Sequence, residues 1–258
     1  MTETRFRARS VSEIVDAAFQ LYREDALQYI VVTAVAYAPW LILRLLFVPG
    51  VGLTPSAPTF GPTAVVTLVL SGLGTWVSFA LMTAVIVRLG SDAYLGDPGP
   101  RDVGATMREL MPRIPAILIG GLYKYVLAML GLLCLVFGAL YVAARYFAVD
   151  AAIVLEGRGA WAALGRSSVL SKGRKRHILN TLILIWLIYF VLDIGVTLVG
   201  QMTGSTVILL VLATAFTIVA YPLIGLTEML LYYDARIRGE GFDIELMARS
   251  LESGAAEA

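Results

Sequence analysis

The chain has 258 residues, 59% of them hydrophobic and 15% charged, and its mean hydropathy of +0.80 excludes an ordinary water-soluble globule. A formal net charge of +1 gives no nucleic-acid signal of the kind a clustered basic domain would. The single cysteine, Cys134, excludes an internal disulfide and, set in an apolar run, reads as inert packing.

In chain order, the first 26 residues are polar and amphipathic. Ser10 and Glu13 have capping-box spacing, and Val11, Ile14, Val15, Ala18, Leu21 and Tyr22 share one helical face, so segment 10–25 is expected to lie flat at a membrane surface. A cleavable leader is not expected, because the apolar run that follows is of full spanning length with no small-residue cleavage pattern behind it. Six apolar runs, at about 27–48, 63–88, 114–131, 133–154, 178–199 and 206–232, each approach the ~20 residues that cross a hydrocarbon core of ~30 Å. The third and fourth form the tightest hairpin, with Gly131 as the expected corner. Amphipathic segments are also expected at 101–111 (Val103, Met107, Leu110, Met111) and at 160–170 (Trp161, Leu164, Ser168, Val169). A last one covers 243–252, with Asp243 and Glu245 at its start and Ile244, Met247, Ala248 and Leu251 on one face. The whole, residues 1–258, reads as a single all-α integral membrane domain: three units of surface helix plus hairpin, arranged as parallel repeats.

Charge orients it. Basic residues fill the N-terminal segment (Arg5, Arg7, Arg9, Arg23), the 89–113 loop (Arg101, Arg108, Arg113, with Arg88 at its edge), the 156–177 loop and the tail (Arg236, Arg238, Arg249). The opposite connections, 49–62, 131–132 and 200–205, contain no charged residue. The positive-inside rule then puts both termini in the cytoplasm, as for a bacterial inner-membrane protein. Lys172, Arg174, Lys175 and Arg176 are candidate contacts for anionic lipid at about 1 kcal/mol per charge, although topology retention alone explains them. His177, beside them, reads as a surface residue near headgroups.

Charges inside the runs need a local account, since each costs at least about 2.5–3.5 kcal/mol at the bilayer centre. Arg44 and Glu228 lie near the ends of their spans and are expected to reach the interface. Lys124, Arg145 and Asp193 lie deeper and form the candidate polar core. One reading is packing, with Asp193 as counter-ion of Lys124 or Arg145; the other is a polar cavity for a lipid headgroup or small solute, with Pro39 and Pro222 kinking the spans around it. Gly72, Gly74, Ser78, Gly120 and Gly121 permit close helix approach under either.

Three stretches, 10–22 (SVSEIVDAAFQLY), 154–173 (VLEGRGAWAALGRSSVLSKG) and 231–251 (LYYDARIRGEGFDIELMARSL), carry a resemblance. Their specific parts are Glu156–Gly157, the run Ala163, Leu164, Gly165, Arg166, Ser167, the Tyr-Asp-x-Arg of Tyr233, Asp234 and Arg236, and Gly241, Phe242, Asp243. Together they resemble the bacterial family called the glycerophosphoryl diester phosphodiesterase membrane domain. The resemblance implies a six-helix membrane module, fused in some relatives to a soluble phosphodiesterase domain. Such a catalytic domain needs two histidines and a carboxylate cluster for a divalent metal, on a further barrel of roughly 250 residues. With one histidine, this chain is expected to have no phosphodiesterase activity, no metal and no cofactor. A phosphate-binding glycine loop, a zinc-spaced Cys/His set and a Ser-His-Asp grouping are also missing from the sequence. The expected function is a non-enzymatic membrane module that scaffolds or assists an envelope or transport process. The alternatives are a transporter or lipid-handling protein using Lys124, Arg145 and Asp193, and an intramembrane enzyme, which would need convergent carboxylates or a metal.

Overall fold

The computed structural model describes residues 7–47, 62–96, 103–133 and 135–245, and every regular element among them is helical. The chain opens with α1 (Val11–Glu24) and α2 (Ala26–Phe47). Ser10 caps α1 reciprocally: its hydroxyl accepts from the Glu13 amide at 3.4 Å while its own amide donates to the Glu13 carboxylate at 2.7 Å. At Asp25 the path turns, and α1 meets α2 at 89°. The long α3 (Pro62–Leu95) follows, then α4 (Val103–Leu110), which runs through a 3-10 turn at Met111–Arg113 into α5 (Ile114–Leu133). Two short helices, α6 (Leu135–Arg145) and α7 (Val149–Glu156), make up the fourth apolar run, and α8 (Ala160–Leu170), α9 (Lys175–Met202) and α10 (Thr206–Glu240) complete the fold. Gly157 and Gly241 end α7 and α10 with φ of 66°, a left-handed turn that glycine adopts without a Cβ penalty.

Among the described residues, five stretches are long and apolar enough to cross a membrane: Val69–Leu95, Gly104–Leu133, Val136–Glu156, Lys175–Met202 and Thr206–Glu240. The bent pair of α1 and α2 makes a sixth if taken as one span. Several such helices fit a multi-pass membrane protein. At about 1.5 Å per residue, α3 and α10 are about 50 Å long, well beyond a hydrocarbon core of ~30 Å, so part of each lies outside it.

Packing is uneven along the bundle. At the charge-rich end the side chains are buried: Met82 to Leu89 in α3, Ile117 in α5, all of α7 from Val149 to Val154, Ile178 to Ile185 on one face of α9, and most of α10 from Ala220 to Ala235. At the opposite end Val65, Leu70, Leu133, Phe137, Leu198, Met202, Val207 and Val211 are exposed. An aliphatic belt of this extent suits lipid contact, since soluble monomers rarely show apolar patches above a few hundred Å².

Several expectations change. Gly131 is not the corner, because α5 continues to Leu133; it packs instead against the backbone of Gly138, where a Cβ would stand 2.6 Å from the Gly138 carbonyl carbon. Cys134, between α5 and α6 in the chain, lies outside the described residues. The fourth run is broken at 146–148 with no Pro or Gly to mark it. Ser167 of α8 bridges the break: its hydroxyl accepts from the Ala148 amide and donates to the Arg145 carbonyl, each at 3.0 Å, replacing bonds the helix ladder gives up.

The amphipathic segments also find different partners. Ile14, Val15, Ala18 and Leu21 of α1 are buried against α9 and α10, so this apolar face packs on protein. In α8, Trp161 and Val169 are exposed, and the buried face is Ala160, Ala163, Leu164, Ser167 and Leu170. In α4, Leu110 is buried while Met111 is exposed. Of segment 243–252, helix is seen to Glu245 and Phe242 is buried; the rest lies outside the described residues. Among the close-approach residues, Gly74 lies under the Trp40 ring, Ser78 donates to the Gly74 carbonyl at 3.0 Å, Gly120 faces Ile153 and Gly121 faces Trp76, while Gly72 faces open space.

Candidate functional site

Two groups of charged side chains are candidates, one inside the bundle and one across its packed end. Within the bundle, Lys124 of α5 donates to Asp150 of α7. Asp150 is 4% exposed and sits in the first turn of α7, where the helix dipole also favours a carboxylate. Glu228 of α10 lies within electrostatic reach of both. Glu228 itself is half-buried, between the fully buried Thr227 and Met229. Among the described residues it makes no ion pair. Nearby on α10, the Tyr221 hydroxyl meets Thr83 of α3 at 2.7 Å, a buried polar tie between two spans.

Asp193 is not the counter-ion of Lys124 or of Arg145. For Lys124 the cause is helix order, since α9 packs on α10, α6 and α1 whereas α5 packs on α3, α6, α7 and α8; for Arg145 it is depth, since Arg145 shares the Tyr141 hydroxyl with Lys175 at the start of α9, about 27 Å along that helix from Asp193. Asp193 makes no ion pair among the described residues. Arg145, at the end of α6, donates to the Tyr141 hydroxyl at 3.1 Å and lies 5.5 Å from the Tyr146 ring centroid. The side chain of Arg44 lies outside the described residues. Asp150 is the residue the sequence reading passes over, although a lone aspartate in the apolar run YFAVDAAIVLE is itself a signal.

At the packed end, the residues that carry the family resemblance converge. Arg166 of α8 donates through Nε to Glu156 at 2.7 and 3.0 Å and through Nη2 to Glu240 of α10 at 2.7 Å, pairing with two carboxylates from different helices. Hydrogen bonds to Glu240, with those to Glu156 adding, raise the Arg166 guanidinium above its ordinary range against the opposing effect of burial. Glu156 also accepts from Arg158 and from the Tyr232 hydroxyl at 2.8 Å. Arg236 bonds Glu240 at 3.1 Å and sits 3.9 Å from the Phe242 ring centroid. Gly157 supplies the turn that brings α8 back beneath α7, and Ser167 holds the α6–α7 break. Asp234 accepts from the Arg9 amide and from Arg238 Nε, both at 2.8 Å, and lies 3.2 Å from His177 Nε2. His177 is therefore part of an interior contact and not a free surface group. Among the described residues, Asp243 has no polar partner.

The basic run divides. Lys175 turns to the Tyr141 hydroxyl at 3.1 Å and its ring at 4.3 Å, Arg174 donates to the Arg238 carbonyl at 2.6 Å, and Lys172 and Arg176 are exposed. Among the described residues, no group of three or more His, Cys, Asp or Glu is placed to hold a metal ion. No protein-family model, curated protein or solved structure matches the chain.

Proposed function

We propose that this chain is a non-enzymatic six-span module of a bacterial inner membrane, with both termini and the packed end in the cytoplasm, that scaffolds or assists an envelope or transport process. The observation that carries this reading is that the conspicuous charges are consumed within the chain: Lys124 by Asp150, and Arg166 by Glu156 and Glu240. Charges paired this way lock helices together where no hydrophobic force between spans is available, and they offer little to a substrate. The resemblance to the glycerophosphoryl diester phosphodiesterase membrane domain family points the same way, since its matching residues build this interlock. The exposed basic residues Lys172 and Arg176 suit a surface against anionic lipid.

Glu228 favours a second reading, a transporter or lipid-handling protein, because it adds a carboxylate without an ion pair beside Lys124 and Asp150. Thiol accessibility separates the two. In a Cys134→Ala background, Lys124→Cys combined with Asp150→Asn is expected to resist an impermeant thiol reagent applied from either side of the membrane. Fast modification from one side would establish a water-filled path to the cluster and favour the second reading over the first.

A further inference from the structure

At the packed end, a cavity of about 430 Å³ opens between the start of α1, the α8–α9 turn and the end of α10. Its volume falls in the ~300–1,000 Å³ range of small-molecule sites. Arg174, Arg176, His177 and Asn180 line one wall, Arg238 and Val11 the other. Three arginines thus line it, two from the start of α9 and one from the end of α10, and the carboxylate nearest to them, Asp234, bonds Arg238. Asp234 is already occupied by the Arg9 amide and Arg238 Nε. Arg174 bonds only a backbone carbonyl, and Arg176 makes no ion pair among the described residues. Lys175 is drawn away to Tyr141, and Arg238 is balanced by Asp234 and gives Nη2 to the Arg9 carbonyl at 2.6 Å, which leaves Arg174 and Arg176 as the uncompensated cations of the cavity.

The backbone adds to this excess of positive charge. Arg174 is the N-cap of α9 and provides no side-chain acceptor, and the first turn of this 28-residue helix holds no acidic residue. Arg174, the N-cap, and Arg176, in the first turn, both line the cavity, so the positive end of the α9 dipole lies beside it. Basic residues at a helix N-terminus are unfavourable unless an anion is present, and an anion there gains from amides and guanidinium groups together. Forked guanidinium donors and the Asn180 amide match a tetrahedral oxyanion. α9 is one of the apolar spans, so its first turn stands at the boundary between apolar and polar surroundings, the depth of lipid phosphates.

We propose that this cavity binds a phosphate group, carried by an anionic phospholipid or by a small soluble phosphate ester, through Arg174 and Arg176, with the Asn180 amide beside them. The inference rests on the membrane reading of α9 and is independent of whether the interior charges are structural. The test uses the full chain in detergent, titrated in separate arms with short-chain phosphatidic acid, phosphatidylglycerol, phosphatidylcholine, glycerol 3-phosphate and inorganic phosphate, with binding read by native mass spectrometry and thermal shift. Binding of the anionic lipids but not of the soluble phosphates identifies a lipid headgroup; binding of the soluble phosphates identifies a free ester. Arg176→Gln, which removes no intramolecular ion pair, is expected to weaken the bound species about tenfold or more, as loss of a charge-assisted contact does. Arg23→Gln, the same charge change at the exposed end of α1 and outside the cavity, is expected to leave it within about twofold. Equal weakening by both variants would reduce the site to diffuse surface charge, and binding of none of the anions would remove it; either result overturns the proposal.

Discussion

Replacing Lys124 by methionine or Asp150 by leucine is expected to lower stability in a bilayer or detergent by about 3–5 kcal/mol, and replacing both to recover most of that loss. Asp150 is 4% exposed on a helix whose surroundings are almost entirely apolar, so removing its partner strands a charge where neither water nor another donor reaches it. The two single changes are not equivalent. Lys124→Met leaves Asp150 and Glu228 as two carboxylates facing each other with no cation between them, whereas Asp150→Leu leaves Lys124 with Glu228 in reach. Lys124→Met is therefore the more damaging of the pair. Reversible unfolding of the four proteins in the cycle measures this, and additive losses would refute the pairing. A parallel cycle of Lys124→Met with Asp193→Leu is expected to show no coupling, because Lys124 is taken by Asp150 and α9 does not pack substantially on α5.

Arg166→Ala is expected to cost a comparable ~3–5 kcal/mol, measured as thermal or chemical unfolding, because one guanidinium joins the end of α7, the middle of α8 and the end of α10. Glu156 would retain Arg158 and Tyr232, but Glu240 would be left to Arg236 alone, and α8 would lose its charged tie to both neighbours. Arg166→Lys is expected to recover less than half of the loss, since an ammonium cannot bond two carboxylates in the plane of a fork. A loss below about 1 kcal/mol for Arg166→Ala would place these contacts with ordinary exposed ion pairs and contradict an interlocking role.

How far the sequence foretells this arrangement differs from element to element. The spans are legible because apolar runs of ~20 residues have few other uses. The capping box at Ser10 and Glu13 is equally readable, being local chemistry within four residues. The α6–α7 break is not, since nothing in Tyr146, Phe147 or Ala148 opposes a helix; its cause is Ser167, which lies 19 residues beyond Ala148. The α1 face could not be assigned either, because Ile14, Val15, Ala18 and Leu21 form the same stripe whether lipid or protein covers it. Counting depth along spans paired Lys124 with Asp193, but depth alone does not say which helices are neighbours. The motif residues Glu156, Arg166 and Arg236 were recognisable as a set, while their convergence with Tyr232 and Glu240 required the packed end of the bundle.

The packed, charge-rich end faces the cytoplasm in this account, and labelling tests that most directly. In a Cys134→Ala background, Gln201→Cys in the exposed last turn of α9 and Lys172→Cys in the exposed α8–α9 turn are the paired probes. Ser171, next to Lys172, is buried and would stay unreactive on either side, so it cannot serve. An impermeant thiol reagent added to intact cells is expected to modify the cysteine at 201 and to reach the one at 172 only after the membrane is opened. Labelling of 172 with protection of 201 would invert the protein in its membrane and contradict the account.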